Sequence, residues 1–172
     1  RFQEAFEFIL RGVTVSDGFN RLILAASLGW RQVKVLRAYC KYLLQTGIPF
    51  SLNYMSETLS RHPLLARLLV EMFEGLFNPD WDSRSESSRE RSEKRLRRDF
   101  EMLYGDESAA DPVLSEYLED VLHTLEGERD RHVFAVKRAF TRGLAAVASL
   151  DEDRILQAFC GLMEATLRTN YF

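Results

Sequence analysis

The side chains able to do chemistry in this sequence are few, and their spacing limits what they could do. His62, His123 and His132 fall on different predicted elements and make no H-x-x-x-H pair, the spacing that puts two imidazoles on one helical face around a metal ion. All three are expected at surface or capping positions. Asp151, Glu152 and Asp153 are consecutive, so on a helix their carboxylates point in different directions and do not converge on a cation. Acids placed there instead favour a helix N-terminus, whose free amides carry positive charge. Ser51, Ser149 and Thr166 have no His or Lys partner to activate a hydroxyl, so they read as caps rather than nucleophiles. Cys40 and Cys160 lie far apart inside apolar patterns, which predicts buried free thiols in a reducing, cytoplasmic setting.

Cofactor and polyanion chemistry is equally thin. A dinucleotide needs glycines where the backbone meets its pyrophosphate, yet neither G-x-G-x-x-G nor a Walker A loop is present, so no cofactor is expected in these residues. Arg89, Arg91, Lys94, Arg95, Arg97 and Arg98 form a basic run that could contact phosphates. The run has no aromatic residue for base stacking, and an acidic stretch from Asp106 to Asp130 follows it. With a net charge of -3 as well, intramolecular or interdomain charge pairing is expected in preference to nucleic acid. No apolar run reaches the roughly 18 to 20 residues that span a bilayer, so no membrane partner is expected.

The elements that would carry these residues are helices. Only 9 Gly and 4 Pro among 172 residues leave little turn chemistry for many strands, while 46% hydrophobic residues supply faces to bury. Phe2, Phe6 and Ile9 keep helical spacing, and Ser16 or Asp17 can cap a second helix through Phe19, Leu22, Ile23 and Ala26. Trp30 opens a longer helix through Val33, Leu36, Cys40 and Leu43, with Arg31, Lys34 and Lys41 opposite and Gly47 with Pro49 as the stop. Ser51 caps the next one. His62-Pro63 then breaks it and starts the stripe Leu65, Leu68, Leu69, Met72, Phe73 and Leu76.

From Asp82 to Ser92 there is no apolar residue, which reads as a polar linker or solvated helix start. Leu96, Phe100 and Leu103 restore an amphipathic helix, and 105–111 is a loop. Asp111-Pro112 starts another helix through Leu114, Leu118, Val121 and Leu122. A charged helix follows through Phe134, Val136, Phe140 and Leu144. Ser149 with Glu152 has capping-box spacing for a last helix through Ile155, Phe159, Leu162, Met163 and Leu167. The expectation is an all-α, irregular multi-helix bundle of about eight or nine helices. It forms one domain over 1–172, with 1–81 and 93–172 as candidate subdomains joined by linker 82–92. Trp30, Phe73, Phe159 and Leu162 are the expected core anchors.

Two blocks carry a family resemblance. The first runs Asp17-Gly18-Phe19-Asn20-Arg21-Leu22-Ile23-Leu24-Ala25-Ala26, then Gly29-Trp30-Arg31 and Leu36-Arg37-Ala38-Tyr39. The second is Ser149-Leu150-Asp151-Glu152-Asp153-Arg154-Ile155-Leu156, then Glu164-Ala165-Thr166-Leu167-Arg168-Thr169-Asn170-Tyr171-Phe172. Together with the helix from His62-Pro63 to Phe77-Asn78-Pro79, they resemble the large bacterial NAD-specific glutamate dehydrogenases. Residues 82–110 match least well.

The resemblance implies oxidative deamination of L-glutamate with NAD by the parent protein. It places this helical segment after regulatory modules and just before the catalytic region, into whose sheet Thr169 to Phe172 would lead. The family's catalytic lysine, glutamate-binding motif and nucleotide fold have no counterpart here, so no catalytic residue is carried over. The implied partners are the catalytic and regulatory domains of the same chain and other copies of the parent in a homo-oligomer. Arg168, Asn170 and Tyr171 are the expected interdomain contacts. A chain that begins at Arg1 and stops in a helical pattern is expected to be an excised piece. The alternative is a free-standing helical interaction module.

Overall fold

The computed structural model describes residue 15, residues 17–105 and residues 111–172. The expected helix through Phe2, Phe6 and Ile9, the capping role of Ser16 and the loop at 106–110 lie outside the described residues. Those residues form eight α-helices and no strand. In order they are α1 (Leu22–Ala25), α2 (Trp30–Gln45), α3 (Leu52–Arg61), α4 (Pro63–Phe77), α5 (Glu86–Tyr104), α6 (Pro112–His123), α7 (Arg129–Leu144) and α8 (Leu150–Ala165). Two 3-10 turns, Gly18–Arg21 and Thr124–Glu126, precede α1 and follow α6.

Local chemistry starts most of these elements where the sequence places it. The Asp17 carboxylate accepts from the Phe19 amide, Ser51 Oγ from Tyr54, Asp111 from Val113 and Leu114, and Ser149 Oγ from Glu152. Each bond satisfies an amide that a helix start leaves without an internal partner. Pro63 and Pro112 occupy first-turn positions, where the missing N–H costs nothing. Ser27, just past α1, has φ 51°, a left-handed conformation usually left to glycine. The Leu28 amide bonds back to the Leu22 carbonyl across it, as in a Schellman ending, and the buried Arg67 side chain holds the Ser27 carbonyl at 3.2 Å.

Helix α4 is the hub, packed along α7 and buried on most of its circumference. Two glycines set how closely this antiparallel pair approaches. A Cβ at Gly75 would meet Val133 Cγ2 at 2.9 Å, and one at Gly143 would meet Leu65 Cδ2 at 2.8 Å. Residues from all eight helices enter one hydrophobic cluster, including Leu22, Leu36, Met55, Leu68, Phe100, Val121, Phe140 and Phe159. Core side chains from before and after 82–92 therefore pack together.

Several expectations need correction. Of the two readings of 82–92, residues 86–92 follow the helix start, as the first turns of α5, and only 84–85 link that helix to the turn before it. Trp81, at the edge of that polar stretch, is buried against His132 at a ring-centroid distance of 4.6 Å. His132 is fully buried rather than a surface or capping residue, because the α4–α7 contact encloses it. Phe73 and Phe159 are core residues, but Trp30 and Leu162 are only partly buried and rest against its edge. Phe134 is exposed, on the outer face of α7. Helix α8 ends at Ala165, and Leu167, which its spacing had placed in the stripe, is 92% exposed on a non-helical tail.

Charged residues also enter the interior. Arg67 and Asp99 are 3.1 Å apart, Arg67 and Glu71 are 2.7 Å apart, and all three are buried. Burial raises the Glu71 pKa, and neighbouring Arg67 opposes it. Arg37, also buried, donates to Asp17 at 2.6 and 2.8 Å and to Asn20 at 3.0 Å. Asp17 thus caps the first turn and neutralises a cation of α2, giving the Asp17 to Asn20 block a structural role.

Candidate functional site

The tail after α8 folds back over α2 and α4. Tyr39 on α2 donates its hydroxyl to Thr166 Oγ1 at 3.0 Å, and Thr166 donates to the Leu162 carbonyl at 2.8 Å. Thr166 is therefore a structural clasp, in line with its lack of an activating base. Phe73 on α4 receives the ring of Tyr171 edge-on at 5.3 Å and the ring of Phe172 stacked at 6.0 Å. Tyr39 and Phe77 approach the same ring at 6.0 and 5.1 Å. Such pairs contribute about 0.5–1.5 kcal/mol each beyond area burial, enough to hold a short tail in place. Burial pushes the Tyr171 hydroxyl up to about 12, with nearby Glu74 adding to it and Arg31 opposing.

Beside this cluster lies an open groove of about 790 Å³ between α2 and the end of α8, lined by Tyr39, Tyr42, Leu162, Leu167, Arg168 and Asn170 among others. Leu167 and Tyr42 are exposed on its lining, and Phe172 is exposed at the end of the tail. The three residues expected to make interdomain contacts separate here. Arg168 and Asn170 are exposed on the groove, while Tyr171 is half-buried against Phe73. The structure brings all three to one surface, with Tyr171 anchoring the segment that displays the other two.

The charges of α2 are one-sided. Helix α2 contains Arg31, Lys34, Arg37 and Lys41 and no acidic residue. Arg37 turns inward to Asp17, whereas Arg31 and Lys34 lie over the Trp30 ring at 5.7 and 4.4 Å. Lys41 is exposed. Sequence reasoning noted the cations of α2 but missed Tyr39, Phe77 and Phe172 as a cluster; the Tyr39-x-x-Tyr42 spacing and the terminal Tyr-Phe pair were the available signal.

The other candidate groups are engaged structurally. The Glu152 carboxylate does not complete the expected reciprocal cap on Ser149. It pairs with Arg61 and, at 2.7 Å, with His62 Nε2, tying α8 to the α3–α4 elbow. His123 is exposed. Among the described residues no three His, Cys, Asp or Glu side chains are grouped to hold a metal ion. Both cysteines are buried and free, and burial pushes each thiol up to about 11. Within the basic run, Arg97 pairs with Glu119 at 3.0 Å and Glu93 at 3.4 Å, Arg89 donates to the Glu126 carbonyl at 2.9 Å, and Arg95 lies 3.9 Å from Asp99. No helix among the described residues is long and apolar enough to cross a membrane.

Among the described residues the fold is all-helical, and its distinctive surface feature is an aromatic and basic face. Residues 14–79 match the family described as glutamate dehydrogenase, helical motif 3. The chain is 37% identical over 172 residues to the NAD-specific glutamate dehydrogenase of Mycobacterium tuberculosis, covering 100% of this chain and 8% of that protein. It is 34% identical over 170 residues to the Pseudomonas aeruginosa enzyme of the same name and 33% identical over 171 residues to that of Halomonas elongata, covering in each case 99% of this chain and 8% of the relative. No solved structure matches. The chain is thus similar along its whole length to part of these NAD-specific glutamate dehydrogenases and spans 8% of each, with residues 14–79 matching the helical motif 3 model.

Proposed function

We propose that this chain is a non-catalytic supporting segment of an NAD-dependent glutamate dehydrogenase. The whole protein would oxidise L-glutamate to 2-oxoglutarate and ammonia, and this segment would serve interdomain packing, with oligomerisation or regulation following from what it packs against. The observation that carries the reading is the whole-chain match to three NAD-specific glutamate dehydrogenases of which it spans 8%. NAD would be held elsewhere in that protein. Its pyrophosphate needs free amides at a glycine-rich strand-to-helix turn, and these residues do not fit it. Among the described residues there is no strand, and Ser51, Asp111 and Ser149 already occupy the amides of three helix starts.

The surface at the end of α8 supports the packing role. Exposed Leu167 and Tyr42 on one groove, with exposed Phe172 on the same tail, are unlike the scattered single apolar residues of an ordinary surface. The test is NADH formation from L-glutamate and NAD, followed by absorbance. The natural full-length protein is expected to turn over and the 172-residue chain to give none. Turnover by the 172-residue chain alone would overturn the reading.

A further inference from the structure

We infer that the face made by α2 and the 166–172 tail docks an acidic protein segment with an apolar anchor, contributed by the same polypeptide outside these 172 residues; the inference rests on the packing role proposed above. Charge and shape argue for that occupant together. Arg31, Lys34, Lys41 and Arg168 have no carboxylate within ion-pair distance among the described residues, and α2 supplies no acid of its own. Several cations on other elements are matched, as in Arg97 with Glu119, Arg138 with Asp120, Arg142 with Asp111 and Lys137 with Glu164. Other exposed cations, Lys94 and Arg98 on α5 included, also lack an ion pair among the described residues, but Arg31, Lys34 and Lys41 share one helix that has no acid, giving α2 a local positive excess in a molecule whose overall charge is -3.

The groove explains why the partner is a protein segment rather than a polyanion alone. It is walled by Tyr42, Leu162 and Leu167 and offers about 790 Å³ to an apolar side chain, with exposed Arg168 on its lining and exposed Lys41 next to Tyr42 on α2 to meet Asp or Glu beside that anchor. An apolar centre with a charged rim is the usual anatomy of a protein interface, in which the centre gives affinity and the rim gives register. The relatives supply the source. Each is a single protein of which this chain matches only 8%, leaving ample polypeptide to furnish the segment.

The test uses the natural full-length protein and two lysine chemistries. Acetylation by an amine-selective reagent is measured at Lys41, exposed here, against the same lysine in the urea-unfolded protein. Carbodiimide coupling, which joins a lysine amine to a carboxylate in direct contact, is mapped from Lys34 and Lys41 by mass spectrometry. The expected result is acetylation of Lys41 slowed about tenfold, the effect of a local contact of about 1.4 kcal/mol, with cross-links to Asp or Glu outside the 172 residues. A protected Lys41 whose neighbours give no such cross-link would overturn the acidic occupant and leave the packing role standing. Acetylation as fast as in the unfolded chain would show an open face, overturning the inference and removing the surface that supports the packing role.

Discussion

Lowering the pH should destabilise the fold through His132, by an amount the structure sets. The ring is fully buried under Trp81, its Nε2 has no hydrogen-bond partner, and its Nδ1 lies 3.3 Å from Thr124 Oγ1. A second ring proton would therefore have no acceptor. Burial foremost, with the nearby Arg84 guanidinium adding to it and a bond to the Val121 backbone opposing, lowers the pKa from 6.5 to about 3. Between those values the unfolded chain binds a proton that the folded chain does not, so stability rises with pH across the window and is lost as pH falls. Each pH unit within it changes stability by about 1.4 kcal/mol, so descending from 6.5 to about pH 5 removes about 2 kcal/mol through this residue. Urea unfolding of the wild-type chain and of His132→Phe at pH 7 and pH 5 isolates this contribution, because every other titrating group appears in both proteins. The wild type is expected to lose about 2 kcal/mol more than the variant over that interval. Equal losses would refute the account of a ring buried without an acceptor.

Three further outcomes follow from the packing. Phe73→Ala removes the ring that Tyr39, Phe77, Tyr171 and Phe172 share and should cost about 3–5 kcal/mol in urea unfolding, with faster amide exchange in the tail; an unchanged tail would detach it from Phe73. Arg67→Met removes the buried cation that Glu71 and Asp99 share and should cost about 3–5 kcal/mol, part of which Asp99→Leu in the same chain should recover; a stable single variant would contradict the buried pairing. Cys40 and Cys160, with thiols near 11, should stay unreactive toward a disulfide reagent at pH 8 until the chain unfolds, and rapid reaction of the folded chain would show that they are not enclosed.

What the sequence revealed was what short-range chemistry decides. Asp17, Ser51, Pro63, Asp111 and Ser149 each act within a few residues of themselves, so their capping roles could be read directly. The apolar stripe of α4 was legible for the same reason. Buried polar groups were not, because their partners lie far along the chain. Arg67 meets Asp99 on another helix, and Glu152 leaves its own helix start for His62, 90 residues earlier. Trp81 sat beside a polar stretch that hid its role, and His132 looked like any histidine on a charged helix until α4 packed over it. The candidate surface was legible in part. Arg168, Asn170 and Tyr171 were singled out by resemblance, but that Tyr171 turns inward while Arg168 and Asn170 face out depends on Phe73, a residue of α4.

The central claim, that this segment packs within a larger dehydrogenase through its C-terminal face, is tested most directly by amide hydrogen exchange at residues 166–172. Their backbone lies outside any helix, and among the described residues a tail amide beyond Thr166 donates only from Tyr171 to Thr169 Oγ1 at 3.2 Å, so in the 172-residue chain the amides after Thr166 should exchange rapidly. In the natural full-length protein the same amides should be strongly protected. Equal, rapid exchange in both would contradict the claim.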